Sequence, residues 1–310
     1  MSVETSPETA VPDRLAAVVA GGATRISIGV QSFIDAEARA VNRPQHAGEV
    51  HRALAAIRDA GVTTLNLDLM YGLPGQTAAS WQVTLDAALG YRPEELYLYP
   101  LYVRPLTTLG RRAAGATDLD VAEDAARIAL YDQARAQLLA SGYHQVSLRM
   151  FRRTDATGVE GPVYCCQDDG MIGLGCGARS YTHALHYASE WAVGARGVRD
   201  IIARWIARGD DELGVADYGV WLDPDEQRRR WLILSLLSDA GVDLAAFRAR
   251  FGVEATAAFP QLDELAARGL ARRADTTLVL TDDGHARADA IGPWLYSPAM
   301  RERMAGFELA

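Results

Sequence analysis

Two stretches decide the fold: Arg25-Ile-Ser-Ile-Gly-Val-Gln-Ser-Phe33 and Asn66-Leu-Asp-Leu-Met-Tyr-Gly-Leu-Pro-Gly-Gln76. Each is an apolar run of strand length that ends in polar or glycine-rich residues, which is how a buried strand looks when its tip carries chemistry. Gln31 and Asp68 interrupt runs that are otherwise dry. A buried polar group must find a partner, so each is either satisfied by the protein or kept for a ligand.

Outward from these stretches, short apolar segments alternate with longer amphipathic ones. Arg25–Val30, Thr64–Tyr71, Leu96–Tyr102 and His144–Phe151 read as strands. Asp35–Val41, Gly48–Ala60, Thr77–Leu89 and Leu119–Ser141 read as helices, with Gly61 and Gly142 where C-terminal glycine caps belong. This alternation predicts an α/β fold of parallel β/α units with right-handed crossovers. Met1–Glu4 reads as the end of a further strand and Pro7–Ala20 as its helix, so the chain enters a β/α barrel partway, as a barrel truncated at its N-terminus would. Ligands in such sheets gather at the C-terminal strand ends, and Glu4, Gln31, Asp68 and Tyr102 all fall at or near them. Pro74 stops the second strand, and Tyr71 and Gly72 shape the turn.

The expected organisation is a partial barrel over residues 1–153, a glycine-rich connection and barrel-packing segment over 154–222 and a C-terminal domain over 223–310. In the last of these, Pro224–Asp239, Leu244–Phe251 and Phe259–Gly269 read as helices, followed by a strand and turn at Leu278-Val-Leu-Thr-Asp-Asp-Gly284. Three helices and a small β-wing predict a mostly helical, winged-helix-like module, which its mixed charge suits to packing rather than to DNA. The run Gly173-Leu-Gly-Cys-Gly-Ala-Arg-Ser180 lacks the preceding strand of a dinucleotide-binding unit, so it reads as a tight turn against the barrel mouth.

The 310 residues carry a formal net charge of -9, which disfavours nonspecific binding to nucleic acid. Every basic side chain except histidine is arginine, which excludes lysine-dependent Schiff-base chemistry and a phosphate-loop lysine. No apolar stretch reaches membrane-spanning length, and the acidic, polar start does not resemble a targeting signal, so a soluble cytoplasmic protein is the expectation. The cysteines, Cys165, Cys166 and Cys176, have no metal-site spacing and read as reduced structural thiols. His183 and His186, three apart, read as solvated or hydrogen-bonded side chains before they read as metal ligands.

Taken in order, RISIGVQSF, Val41-Asn-Arg-Pro-Gln45 and NLDLMYGLPGQ resemble the radical S-adenosylmethionine enzymes related to oxygen-independent coproporphyrinogen III oxidase. Tyr164-Cys-Cys-Gln-Asp-Asp-Gly-Met-Ile-Gly-Leu-Gly175 resembles that family's glycine-rich connection. Leu222-Asp-Pro-Asp-Glu226 and Ala249-Arg-Phe-Gly252 resemble its C-terminal domain. The resemblance covers nearly the whole chain. It implies a partial barrel that binds S-adenosylmethionine beside a [4Fe-4S] cluster, a small-molecule substrate and an electron donor such as flavodoxin. It also implies that Glu4 lies near the ribose hydroxyls, and that Gln31, Arg43 and Asp68 line the same pocket. A carboxylate accepts from hydroxyls, and an arginine pairs with the methionyl carboxylate. Without the resemblance, Glu4 reads as a solvated terminal residue and Arg43 as a helix cap or a surface ion pair.

The sequence departs from the family at two places. It has no CxxxCxxC and no GGGTP-like segment after it, and its three cysteines have the wrong spacing to hold a cluster. A chain truncated upstream and a noncatalytic binding or scaffold protein are the two explanations. Haem-binding relatives carry His-Asn-x-x-Tyr-Trp where this chain has Glu160-Gly-Pro-Val-Tyr-Cys165, so the axial histidine is missing and haem delivery is disfavoured. The group also includes methyltransferases, so the resemblance does not imply coproporphyrinogen as substrate.

Overall fold

Strict alternation of large aliphatic residues in the first strands gives a sheet with one fully dry face. In the computed structural model, which describes residues 1–43, 45–102, 121–157, 168–190, 195–216 and 218–306, these residues fall into two compact units. The first holds residues up to 157, and the second holds those from 168 onward.

The first unit is built on a six-stranded sheet ordered β1-β2-β3-β4-β6-β5. Strands β1 (Ser2–Thr5), β2 (Arg25–Gln31), β3 (Thr64–Tyr71) and β4 (Glu95–Pro100) are parallel neighbours in sequence order. Right-handed crossovers between sequential parallel strands place their helices on one face of a sheet. The helices are α1 (Pro12–Ala20), α2 (Asp35–Ala40), α3 (Ala47–Asp59), α4 (Ala78–Gly90) and α5 (Val121–Ala140). Ile26, Ile28, Leu65, Leu67, Leu69, Leu96 and Leu98 form the dry face at 0% exposure, and Leu54, Trp81, Leu85 and Leu138 on the helices are as deeply buried. Gly61 and Gly142 end helices at φ of 73° and 82°, conformations that only glycine adopts without strain.

The stretch His144–Phe151 is not the single strand its alternation predicts. It is a hairpin of β5 (Tyr143–Gln145) and β6 (Met150–Arg153), and β6 runs antiparallel to β4. The Ser147 hydroxyl accepts from the Met150 N–H at 3.2 Å, and the Val146 N–H donates to the Met150 carbonyl at 2.8 Å, closing a turn inside the stretch. The sheet is therefore parallel over four strands and antiparallel at its far edge. Helix α1 also begins later than Pro7, because Ser6 to Thr9 form a hydroxyl-bonded turn.

In the second unit the connection expected over residues 154–222 holds more regular structure than a loop and a tight turn. A three-stranded antiparallel sheet lies there, made of β7 (Arg179–Tyr181), β8 (Leu185–Ala188) and β9 (Tyr218–Trp221), with α6 (Ala195–Ala207) between β8 and β9. The glycine-rich run folds back on β7: a side chain at Gly173 would collide with the Arg179 carbonyl. Then come α7 (Pro224–Leu236), capped by Asp223 Oδ1 accepting from the N–H groups of Asp225 and Glu226, and α8 (Leu244–Phe251), capped by Asp243. Strand β10 (Val242–Asp243) pairs with the β-wing β11 (Ala271–Ala274) and β12 (Thr277–Leu280), and α9 (Gln261–Ala267) precedes the wing. Helices α10 (Ala288–Trp294) and α11 (Pro298–Ala305) follow. Cys165, Cys166 and the segment Glu160–Cys165 lie outside the described residues.

Candidate functional site

The second face of the parallel sheet is polar, and strand register sets which of its residues meet. Residues paired across neighbouring strands point to the same face. One row runs Glu4–Ser27–Asn66–Glu95, and the next, nearer the C-terminal ends, runs Gly29–Asp68–Tyr97. Met70 and Tyr99 form the row beyond. At the N-terminal side this face is closed by charge: buried Glu95 accepts from Arg25 at 2.7 Å and from Arg152 at 2.6 Å. Towards the C-terminal ends Gly29, Asp68, Met70, Tyr97 and Tyr99 are only half-buried, so the face opens there.

Asp68 is the centre of this surface. Its carboxylate accepts from Asn66 Nδ2 at 2.8 Å and from Ser27 Oγ at 3.5 Å. Burial pushes its pKa above the ordinary carboxylate value; the Asn66 hydrogen bond opposes this, and the neighbouring Glu4 charge adds to it. Tyr97 is raised by burial, and Tyr99 is raised to about 12 by burial and by the Asp68 charge. Asn66 is 1% exposed, and its Oδ1 has no hydrogen-bond partner among the described residues. A buried acceptor left in this state beside a desolvated carboxylate marks a surface made to receive donors.

Gln31 reaches the same face by an unusual backbone. The register of β2 against β3 shifts between Gly29 and Gln31, and Gln31 sits at φ 65°. A side chain on Gly29 would stand 2.9 Å from Gln31 Nε2, so the amide lies over the space that Gly29 leaves empty, in the Asp68 row. Gln31 is 7% exposed and makes no side-chain hydrogen bond among the described residues. A left-handed, non-glycine residue at a bulge is strained, and such strain concentrates at binding sites.

The structure therefore brings Glu4, Gln31 and Asp68 to one face. Glu4 is exposed at the edge of that face, and its charge acts on Asp68. Arg43 is exposed in the loop after α2; its N–H donates to the Ala38 carbonyl at 3.0 Å, and no hydrogen bond or ion pair joins its side chain to Asp68. Gln45 Nε2 bonds the Val30 carbonyl, which ties this loop to the tip of β2. Tyr102 stands just beyond β4, where its hydroxyl accepts from Arg149 at 2.7 Å. The Arg149 guanidinium also lies over the rings of Tyr99 and Tyr102.

Sequence reasoning missed Asn66, Tyr97 and Tyr99, whose membership depends on register. It also missed the bracket that holds the strand tips. Buried Glu37 accepts from Ser32 at 2.7 Å and from Gln76 at 3.2 Å, and also from Ser80. Gln76 Oε1 accepts the N–H groups of Gly72 and Leu73, which fixes the Gly72–Gln76 turn after β3.

Residues 1–88 match the Radical SAM superfamily, and residues 222–286 match the HemN C-terminal domain. The chain thus carries a radical SAM domain at its start and a HemN C-terminal domain near its end. The chain is 26% identical over 285 residues to the heme chaperone HemW of Bacillus subtilis, covering 91% of this chain and 72% of the relative. It is 25% identical to the oxygen-independent coproporphyrinogen III oxidase of Pseudomonas aeruginosa, spanning 85% of this chain and 58% of that one. The coproporphyrinogen III oxidase HemN of Escherichia coli has the same fold, with a TM-score of 0.74, 22% identity, and 95% of this chain matched to 69% of that structure.

The superfamily uses S-adenosylmethionine with a [4Fe-4S] cluster, and the two groups fit this chain differently. The Asp68 surface, with its orphaned Asn66 acceptor and the cradle at Gly29, suits the hydroxyls and amines of an adenosyl group. A cluster does not fit: among the described residues no group of three or more His, Cys, Asp or Glu could hold a metal, and the three cysteines of the sequence form no CxxxCxxC. No helix of the described residues is long and apolar enough to cross a membrane.

Proposed function

We propose that this chain binds S-adenosylmethionine on the open polar face of its parallel sheet and serves radical chemistry of the coproporphyrinogen-oxidase-like group on a small organic substrate. The observation that carries this reading is the desolvated Asp68 carboxylate beside the unpartnered Asn66 Oδ1. Asp68 and Glu4 accept from the ribose hydroxyls, and the Gln31 amide bonds the ligand over Gly29. Tyr99 and Met70 wall the open end. Arg43, on the loop tied to β2, pairs with the methionyl carboxylate, and Tyr102 stands at the rim. The relatives named for heme and for coproporphyrinogen match at nearly equal identity, so neither name fixes the substrate. A radical step would need cluster thiolates from outside these 310 residues and an electron donor such as flavodoxin.

Calorimetric titration of S-adenosylmethionine into the chain tests this. Saturable one-site binding is expected, weakened about 10- to 100-fold in Asp68→Ala, because hydrogen bonds to a charged group are the strong ones. Absence of binding would overturn the reading. A second reading, a noncatalytic S-adenosylmethionine-binding protein or scaffold, is favoured by the missing CxxxCxxC. The genomic sequence upstream of Met1, read in frame, separates the two: a CxxxCxxC there supports the first, and none supports the second.

A further inference from the structure

The second unit contains a cavity of about 410 Å³ that the adenosyl surface does not use. That volume lies in the range of small-molecule sites. Its floor is a single cross-strand row, Tyr181–His186–Val220, contributed by β7, β8 and β9. Its roof is one face of α7, where Glu226, Arg230 and Ile233 follow at helical spacing. Met300 and Met304 of α11 close one side. Unbranched methionines adapt to ligands of irregular shape.

Most polar groups around the cavity are committed to the fold. Glu226 accepts from the Ser297 hydroxyl. Arg229 donates to Asp225 at 2.7 Å and to the Leu295 carbonyl at 3.0 Å. His186 differs. Its Nε2 is buried and has no hydrogen-bond partner among the described residues. Its ring packs against Tyr181, with 5.6 Å between centroids, and the Arg230 guanidinium lies 5.0 Å from the Tyr181 ring centroid. Burial first, and then the Arg230 charge, hold His186 below its ordinary pKa, so it stands neutral at pH 7.

These groups select the chemistry of an occupant. A hydrocarbon would leave Nε2 unpaired, and a cation would face Arg230. A carboxylate accepts from both an Nε2–H tautomer of His186 and a guanidinium. We propose that this cavity binds a small organic acid with an apolar body, its carboxylate held by His186 and Arg230 and its body by Val220, Ile233, Met300 and Met304. The proposal is independent of S-adenosylmethionine binding, because every residue it uses lies in the second unit.

The test is a titration of the full chain with 2-naphthoate and octanoate, with 2-naphthol as the uncharged match. Saturable binding of at least one acid below about 1 mM is expected, weakened about tenfold in His186→Phe and in Arg230→Met, with 2-naphthol bound less well. His186→Phe keeps the ring that packs on Tyr181. For protein labelled with ¹⁵N-histidine, the His186 ring resonance should shift in the wild type as acid is added, a readout that needs no variant to fold. No saturable binding, equal binding to His186→Phe, an unmoved His186 resonance, or displacement of the acid by S-adenosylmethionine would each overturn the proposal.

Discussion

The two faces of the parallel sheet are made by the same strands and the same alternation, yet they do opposite work. On one face Ile26, Ile28, Leu67, Leu69, Leu96 and Leu98 are wholly buried, and burial of each such side chain stabilises by about 1.5–3 kcal/mol. On the other, Asp68 is desolvated, Asn66 keeps an unpartnered acceptor and Gln31 holds a left-handed backbone. Each of these features costs stability in the free protein. The contrast teaches that the first face makes the fold and the second spends part of that stability on a surface shaped for a ligand.

Substitutions on the two faces should therefore separate stability from binding. The largest effect is expected from Leu67→Ala, which should destabilise by about 2–5 kcal/mol in denaturant titrations through the cavity it leaves. A loss under about 1 kcal/mol would break the comparison, because the dry face would then not be the core. Gly29→Ala comes next. Its new methyl would displace the flexible Gln31 amide, so S-adenosylmethionine affinity should fall about tenfold while stability changes by under about 1 kcal/mol.

The stability of Asp68→Asn sharpens the contrast through pH. Burial raises the folded-state pKa of Asp68 above its unfolded value, so its contribution is fully present below the ordinary value of 3.8. That contribution is lost as pH rises through the raised pKa. The asparagine variant should therefore match the wild type at the acid end and become the more stable protein towards neutral pH. A variant less stable at pH 7 would show Asp68 to be a structural group. The smallest effect is expected from Arg43→Ala. An exposed ion pair is worth under about 1 kcal/mol, so affinity should fall by no more than about fivefold, with stability unchanged.

How much of this was legible in the sequence depends on the range of the interactions involved. Local signals read true: Thr64–Tyr71 is a strand with the bounds its composition suggests, Gly61 and Gly142 end helices, and the helix read from Pro224 begins there. Gln31 and Asp68 stood out because each breaks an apolar run. Asn66, Tyr97 and Tyr99 did not, since only strand register brings them beside Asp68. The reach of Gln31 over Gly29 depends on one positive φ, which composition does not reveal for a glutamine. His144–Phe151 alternates like a strand across a turn made by one serine hydroxyl. The sheet of β7, β8 and β9 was missed because its strands have three or four residues each, too few to set a period.

The most direct test of the central claim is the affinity of Asp68→Asn for S-adenosylmethionine, measured by calorimetry beside the wild type at pH 7. This substitution keeps the shape of the side chain, removes its charge and replaces one of its two acceptor oxygens by a donor. The expected result is saturable wild-type binding that weakens about 10- to 100-fold in a variant that remains folded. Binding of equal strength in the two proteins would contradict the claim that the polar face of the sheet is the ligand surface.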